Sequence, residues 1–222
     1  MSIAFFDLDH TLLDGDSDSS FLDYLVDKEI VSADIQVEKE AVHRAYMKGA
    51  PWQAVYRKLL YRMYRGLPVS RLEDLARKHA HEFVLPMLFA GARGLIEEQA
   101  AKGRQLVLLT TTNQMVVTPV AQALGLNHVL STRLEIKDAH FTGNLEGDTF
   151  CTGPAKAVAL LAYCKSQGID PQECAMFGDG RSDLEALDAV GEPVAVHAIP
   201  ELAQRAQERG WRSITLSRTL NA

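Results

Sequence analysis

Cysteine is scarce in this chain, and no two of its three cysteines form a CxxC pair. That excludes a disulfide scaffold and a thiolate zinc site, and predicts that Cys151, Cys164 and Cys174 are isolated, reduced thiols. Positive charge is also in deficit, with 23 Lys and Arg against 29 Asp and Glu and a net charge of -6. Proteins that coat nucleic acid or anionic lipid need a basic field, so neither partner is expected. No stretch reaches the roughly 20 apolar residues of a membrane span. The opening "MSIAFFDLDH" lacks the basic start and long apolar region of a signal peptide, because its apolar run stops at Phe6. A cytoplasmic protein that meets small partners in one local site is the resulting expectation.

What remains is an ordinary globular composition, 47% hydrophobic over 222 residues, enough for one sizeable core with an appendage. "SIAFF" reads as a buried parallel strand whose C-terminal end opens on a site. From about Asp18 to Phe89 the pattern turns helical: "SFLDYLVDKEIV" and "PWQAVYRKLLYRMYRGL" each gather apolar residues on one face. Pro51 is expected in the first turn of the second of these helices. "SRLEDLARKHAHEFVLPML" predicts a third helix opened by a Ser70–Glu73 capping box. After Gly91, strands and helices alternate through "RQLVLLT", "NQMVVTPVAQALGL", "GPAKAVALLAYCKSQG", "CAMFGD", "RSDLEALDAVG", "PVAVH", "PELAQRAQERG" and "RSITL". Between them, "HVLSTRLEIKDAHFTGNLEG" predicts a strand and a hairpin turning at Asp138 and Ala139 or at Gly143 and Asn144. The fold class is therefore α/β, a Rossmann-like three-layer core around a parallel sheet with an inserted all-helical segment. Residues 1–14 and 91–222 are assigned to the α/β core and residues 15–90 to the helical domain.

In such sheets ligands bind beyond the carboxyl ends of the strands, where strand order reverses. Asp7, Thr110 and Asp179 each stand at such an end and are expected to meet. Paired acids just past a strand, a hydroxyl at the end of a second, Lys156 opening a helix and a further "GDGRSD" suit magnesium and phosphate: hard oxygen ligands for the ion, cationic and hydroxyl donors for the phosphoryl oxygens. Four acids in one pocket would drive some to protonate unless cations offset them.

These residues resemble the haloacid dehalogenase superfamily of aspartate-nucleophile phosphatases. "FDLDHTLL" resembles its DxDxT motif, "VLLT" ending in Thr110 its hydroxyl motif, Lys156 its motif lysine, and "MFGDGRSD" its GDxxxD motif. The helical insert resembles the cap of the phosphoserine-phosphatase-like subgroup. The resemblance implies that Asp7 is the nucleophile, Asp9 the acid/base, and Thr11 a support for the loop. It implies a Mg2+ ion held by Asp7, the Asp9 carbonyl and Asp179, with Asp183 supporting them, and a phosphate group held by Thr110, Thr111 and Lys156. Asp16 stands nine residues after Asp7, where phosphoserine phosphatases place an acid that meets the substrate's ammonium. Thr111 and Thr112 replace the usual glycine pair, and Ser182 the usual Asn. With "DGDSD", these departures are similar to a bacterial branch given histidinol-phosphate phosphatase activity. A phosphoserine phosphatase, a phosphotransferase or phosphonate-cleaving relative, and a non-enzymatic binding module are the competing readings.

Other residues have plain expectations. His10 should face away from Asp7, because neighbours on an extended segment face opposite sides. His79 and His81 should lie on a solvated face. Asp14, Asp16 and Asp18 form either an acidic entrance or a helix N-cap cluster.

Overall fold

The computed structural model describes residues 2–217, so Met1 and residues 218–222 of the expected core lie outside the described residues. In chain order the elements are β1 (Ile3–Phe6), α1 (Ser17–Asp27), α2 (Gln36–Met47), α3 (Gln53–Tyr64), α4 (Val69–His79) and α5 (Ala92–Ala101). They continue with β2 (Gln105–Asn113), α6 (Gln114–Ala123), β3 (His128–Thr132), β4 (Leu134–Lys137), β5 (His140–Leu145) and α7 (Pro154–Gln167). The last are β6 (Ala175–Gly178), α8 (Leu184–Asp188), β7 (Glu192–Val196), α9 (Pro200–Arg209) and β8 (Arg212–Ile214).

Six of the strands form one parallel sheet in the order β3-β2-β1-β6-β7-β8. Alternation along β1 assigns its side chains to two layers. Ala4 and Phe6 pack with Leu95, Ile96 and Val116 of α5 and α6, whereas Ile3 and Phe5 pack with Leu160, Leu187 and Leu202 of α7, α8 and α9. All four residues are fully buried, as a strand covered on both faces requires. From β1 the chain moves outward to β2 and β3, then crosses to β6 on the other side of β1. The reversal of strand order therefore falls beside β1, and Asp7 is the next residue.

Residues 17–87 supply helices and no strand. Helix α2 lies where the sequence shows only a general helical rhythm. Helix α3 begins at Gln53 after Trp52, so Pro51 precedes the first turn rather than standing in it. The Ser70–Glu73 capping box does not form: α4 starts at Val69 behind Pro68, which places Ser70 already inside the first turn. The single long helix expected over 70–88 is α4 followed by a wider turn at 80–84 and a tighter one at 85–87, where Pro86 lacks the N–H to continue the ladder. His79 is wholly buried, not solvated. "RSDLEALDAVG" likewise splits into a short turn and α8. The β4–β5 hairpin turns at Asp138 and Ala139, both with positive φ, and hydrogen-bonds to the helical segment through Gly66, Leu67 and Val69. Cys164 and Cys174 are not isolated from each other. Their sulfurs lie 3.9 Å apart, and all three cysteines are free thiols.

Candidate active site

The carboxyl ends of β1, β2 and β6 bring together residues as distant in sequence as Asp7 and Asp183. Asp7 Oδ1 accepts from Lys156 Nζ at 2.7 Å, and the same ammonium donates to Asp183 Oδ1 at 2.5 Å. The Thr11 hydroxyl lies 3.2 Å from Asp7 Oδ2 and 3.0 Å from Asp179 Oδ1, so it bridges the two acids. Asp183 Oδ2 accepts the backbone N–H groups of Asp179 and Gly180, which folds the loop after β6 around it. A Cβ on Gly178 would approach the Asp183 carboxylate to 2.7 Å; only glycine lets the strand end pass so closely. Asp7, Asp179 and Asp183 each offer an oxygen within 4.8 Å of the others. The Asp9 carboxylate stands outside this group, held by Ser17 N–H at 2.6 Å and the Thr112 hydroxyl at 2.7 Å.

Charge in this corner is unbalanced. Lys156 has no exposed surface; burial alone would lower its pKa, but Asp183 and Asp7 carry it well above the ordinary lysine value. Burial, helped by Asp7 and Asp183, pushes Asp179 up to about 9. Burial also pushes Asp183 up to about 6, against the pull of Lys156. Three acids sharing one ammonium lack a positive charge, and a hard divalent cation among their oxygens would supply it. For Asp9, burial and then Asp16 outweigh the two donors and push its pKa up to about 8. That direction favours the protonated form of its carboxyl.

A cavity of about 230 Å³ opens over these groups. Asp7, Asp9, Asp16, Thr110, Thr111 and Asp179 line it, so six of the eight residues singled out from the sequence face one space. Lys156 and Asp183 are buried behind Asp7 rather than facing the cavity, Lys156 bonded to Asp7 and Asp183 to Lys156. Thr110 is buried, and its hydroxyl oxygen accepts Thr112 N–H. The Thr111 hydroxyl is buried without a partner. Asp16 is exposed and caps α1, accepting Ser19 N–H at 2.7 Å. His10 is a correction: it lines the cavity, because the extended backbone ends after β1 and the chain turns at His10 with φ of 61°. The sequence reading ended the strand at Thr110 and named Thr112 only as a replacement for a usual glycine, with no role in the site. Its signal was the period-two alternation that places it on the side of Thr110 once β2 runs to Asn113.

Residues 4–188 match the haloacid dehalogenase-like hydrolase family. The chain belongs to that family. The hydrolase is 29% identical over 215 residues to the histidinol-phosphatase of Neisseria meningitidis serogroup C (strain 8013), covering 95% of this chain and 96% of that one. It is 30% identical over 213 residues to phosphoserine phosphatase SerB1 of Mycobacterium tuberculosis (strain ATCC 25618 / H37Rv), covering 94% and 68%. A protein of unknown function from Bordetella pertussis Tohama I superposes with a TM-score of 0.86 at 27% identity, over 96% of the hydrolase and 97% of that chain. A phospho-aspartyl intermediate analogue of phosphoserine phosphatase shares the fold, with a TM-score of 0.70 at 22% identity over 99% and 95% of the two chains.

Proposed function

We propose that this hydrolase is a magnesium-dependent phosphomonoesterase acting through an aspartyl-phosphate, with histidinol phosphate as its substrate. The observation that carries the reading is the setting of Asp7: one oxygen bonded to Lys156, the other to Thr11, at the point where strand order reverses, with Asp9, its pKa raised by burial, on the same cavity. Asp7, the Asp9 carbonyl and Asp179 would hold Mg2+, with Asp183 and Lys156 behind them; when bound, the ion would offset negative charge on the phosphoryl oxygens.

A carboxylate oxygen of Asp7 attacks phosphorus while the bond from phosphorus to the ester oxygen breaks, and Asp9 gives its proton to the departing alkoxide. Asp9, now a carboxylate, takes a proton from water as that water attacks phosphorus, and the bond to Asp7 breaks. Asp7 is restored, and inorganic phosphate leaves. Thr110 and the unpartnered Thr111 hydroxyl hold the phosphoryl oxygens through both steps, while Lys156 fixes Asp7 from behind. Residues 15–90 act as a cap over the core of 1–14 and 91–222, shielding the acyl-phosphate from stray water. The three cysteines are free thiols, and among the described residues no helix is long and apolar enough to cross a membrane.

Histidinol phosphate is ranked above phosphoserine on two grounds. It is the substrate in the printed name of a relative that matches almost end to end. It also lacks a carboxylate, which the acids Asp16 and Asp18 on the cavity wall would repel. The reaction is tested by phosphate release from p-nitrophenyl phosphate with magnesium and with EDTA. Wild type should be active only with the metal, and Asp7→Asn should lose at least about a thousandfold in kcat, the scale of losing a covalent nucleophile. An Asp7→Asn enzyme as active as wild type rules the nucleophile out. Substrate choice is read from kcat/KM for histidinol phosphate against phosphoserine.

A further inference from the structure

The hydroxyls that hold phosphate in the reaction above both come from one flank of Asp7. Thr110 and Thr111 stand near the end of β2, whereas the sheet order sets β6 on the other side of β1, and the chain leaves β6 into the acids Asp179 and Asp183. A phosphoryl group on Asp7 spreads negative charge over oxygens that face both flanks. The β6 side therefore needs a donor too.

One reaches that side from the helical segment. Tyr46, in the last turn of α2, lines the cavity with Asp7, Thr111 and Asp179, and a Cβ on Gly180 would lie 3.7 Å from its hydroxyl oxygen. Partial burial, then the charges of Asp179, Asp183 and Asp7, hold its pKa above the usual tyrosine value, so the group is a neutral donor set against acids. Its ring meets Trp52 edge-on at 6.0 Å, and among the described residues no group hydrogen-bonds its hydroxyl. How α2 is held explains why the hydroxyl stays there. The helix buries none of its residues, so no core fixes it. Ion pairs hold its first half, from Lys39 to Asp23 and from Glu38 to Arg62. Beyond its last turn, Gly49, with φ of 64°, comes so near the loop after β6 that a Cβ there would lie 3.1 Å from Arg181 Nη1. Arg181 Nε and Nη2 both lie 2.6 Å from Glu201 Oε2, which leaves Nη1 for the carbonyl end of α2, where a cation is favourable.

We propose that Tyr46 donates its hydroxyl to a phosphoryl oxygen on the Asp179 side of Asp7, opposite Thr110 and Thr111, and that Arg181, tethered by Glu201, is the positioning residue that keeps the end of α2 in place for that contact. The helical segment then completes the phosphate site itself, besides walling the space for the leaving group. The assignment rests on the phosphatase reading, because it presumes that phosphate occupies the Asp7 end of the cavity.

The test measures kcat/KM for p-nitrophenyl phosphate and for phosphoethanolamine, and the inhibition constant of inorganic phosphate, in wild type and variants at saturating magnesium. Tyr46→Phe keeps the ring against Trp52, so it should melt as wild type does. It should lower kcat/KM about tenfold, the scale of one hydrogen bond to a charged group, and by the same factor for both substrates, because the lost contact is to the phosphate they share. The inhibition constant of phosphate should rise by a similar factor. Arg181→Ala should shift both quantities the same way, and the double variant should lose no more than Tyr46→Phe alone, since Arg181 acts through Tyr46. Should Arg181→Ala fail to fold, Glu201→Gln, which releases the guanidinium, should raise the phosphate constant in its place. An unchanged phosphate constant in Tyr46→Phe, a loss confined to one substrate, or additive losses in the double variant each overturns the proposal. Absence of magnesium-dependent p-nitrophenyl phosphate hydrolysis by wild type is a separate result, and defeats the phosphatase reading itself.

Discussion

Asp9 receives two hydrogen bonds that favour its ionised form, yet its pKa is pushed up to about 8, because burial and the nearby Asp16 outweigh them. Thr112 therefore trims that pKa, and its effect should be measurable. Thr112→Val preserves shape but removes the donor to Asp9 Oδ2, so the carboxyl should rise further. The step that needs Asp9 as a base then has fewer ionised molecules at neutral pH. The expected result is a kcat about tenfold lower at pH 7, recovering above about pH 9, read from a kcat against pH profile. A profile superimposable on wild type would show that Thr112 has no hold on Asp9. This partnership was hidden in the sequence because 103 positions separate the two residues and nothing local links them. Asp7, Asp9 and Asp179 were legible for the opposite reason: an acid directly after an apolar strand is costly enough to need a purpose.

At the scale of elements, α1 and α4 are joined through His79. Its ring lies against Phe21 at 5.1 Å, Tyr24 at 5.4 Å and Phe83 at 5.7 Å, with Nε2 bonded to the Ser20 hydroxyl at 2.8 Å and Nδ1 buried without a partner. Burial pushes its pKa down to about 4 from the usual 6.5. The unfolded chain then binds the proton more readily than the folded one, so stability is lost as pH falls from about 6.5 to about 4. The loss should be on the order of 3 kcal/mol, measured by urea unfolding at a series of pH values, and His79→Phe should flatten that slope. The sequence had placed His79 on a solvated face, since histidine seldom fills a core and no local pattern announces the aromatic pocket that α1 supplies. A second joint lies between α3 and the hairpin. Gly143 has a φ of 86°, and a Cβ there would meet the Tyr61 backbone at 3.0 Å and the Arg65 Cβ at 3.1 Å. Gly143→Ala should cost about 1–3 kcal/mol in unfolding free energy through strain and overpacking together. A neutral result would mean that the hairpin shifts away from α3 without cost.

For the molecule as a whole, the unmet charge among Asp7, Asp179 and Asp183 couples ion binding to stability and to pH. Asp179, raised to about 9 by burial and its acidic neighbours, must lose its proton for Mg2+ to bind. Magnesium should therefore raise the melting temperature more at pH 8 than at pH 6, and titration calorimetry in buffers of different ionisation heat should register proton release. The gain should reach about 2.7 kcal/mol at a hundred times Kd. An equal rise in melting temperature at both pH values would place the ion elsewhere. The sequence by itself determined the sheet, the insertion of helices after β1 and the acids at the strand ends, because hydrophobic period and strand-end punctuation are local properties of the chain. Only the tertiary structure decided that Lys156 binds Asp7 and Asp183 from behind the cavity and that Thr112 holds Asp9. Those pairings depend on which segments the crossovers bring within a few ångströms, and distance along the chain carries no record of that.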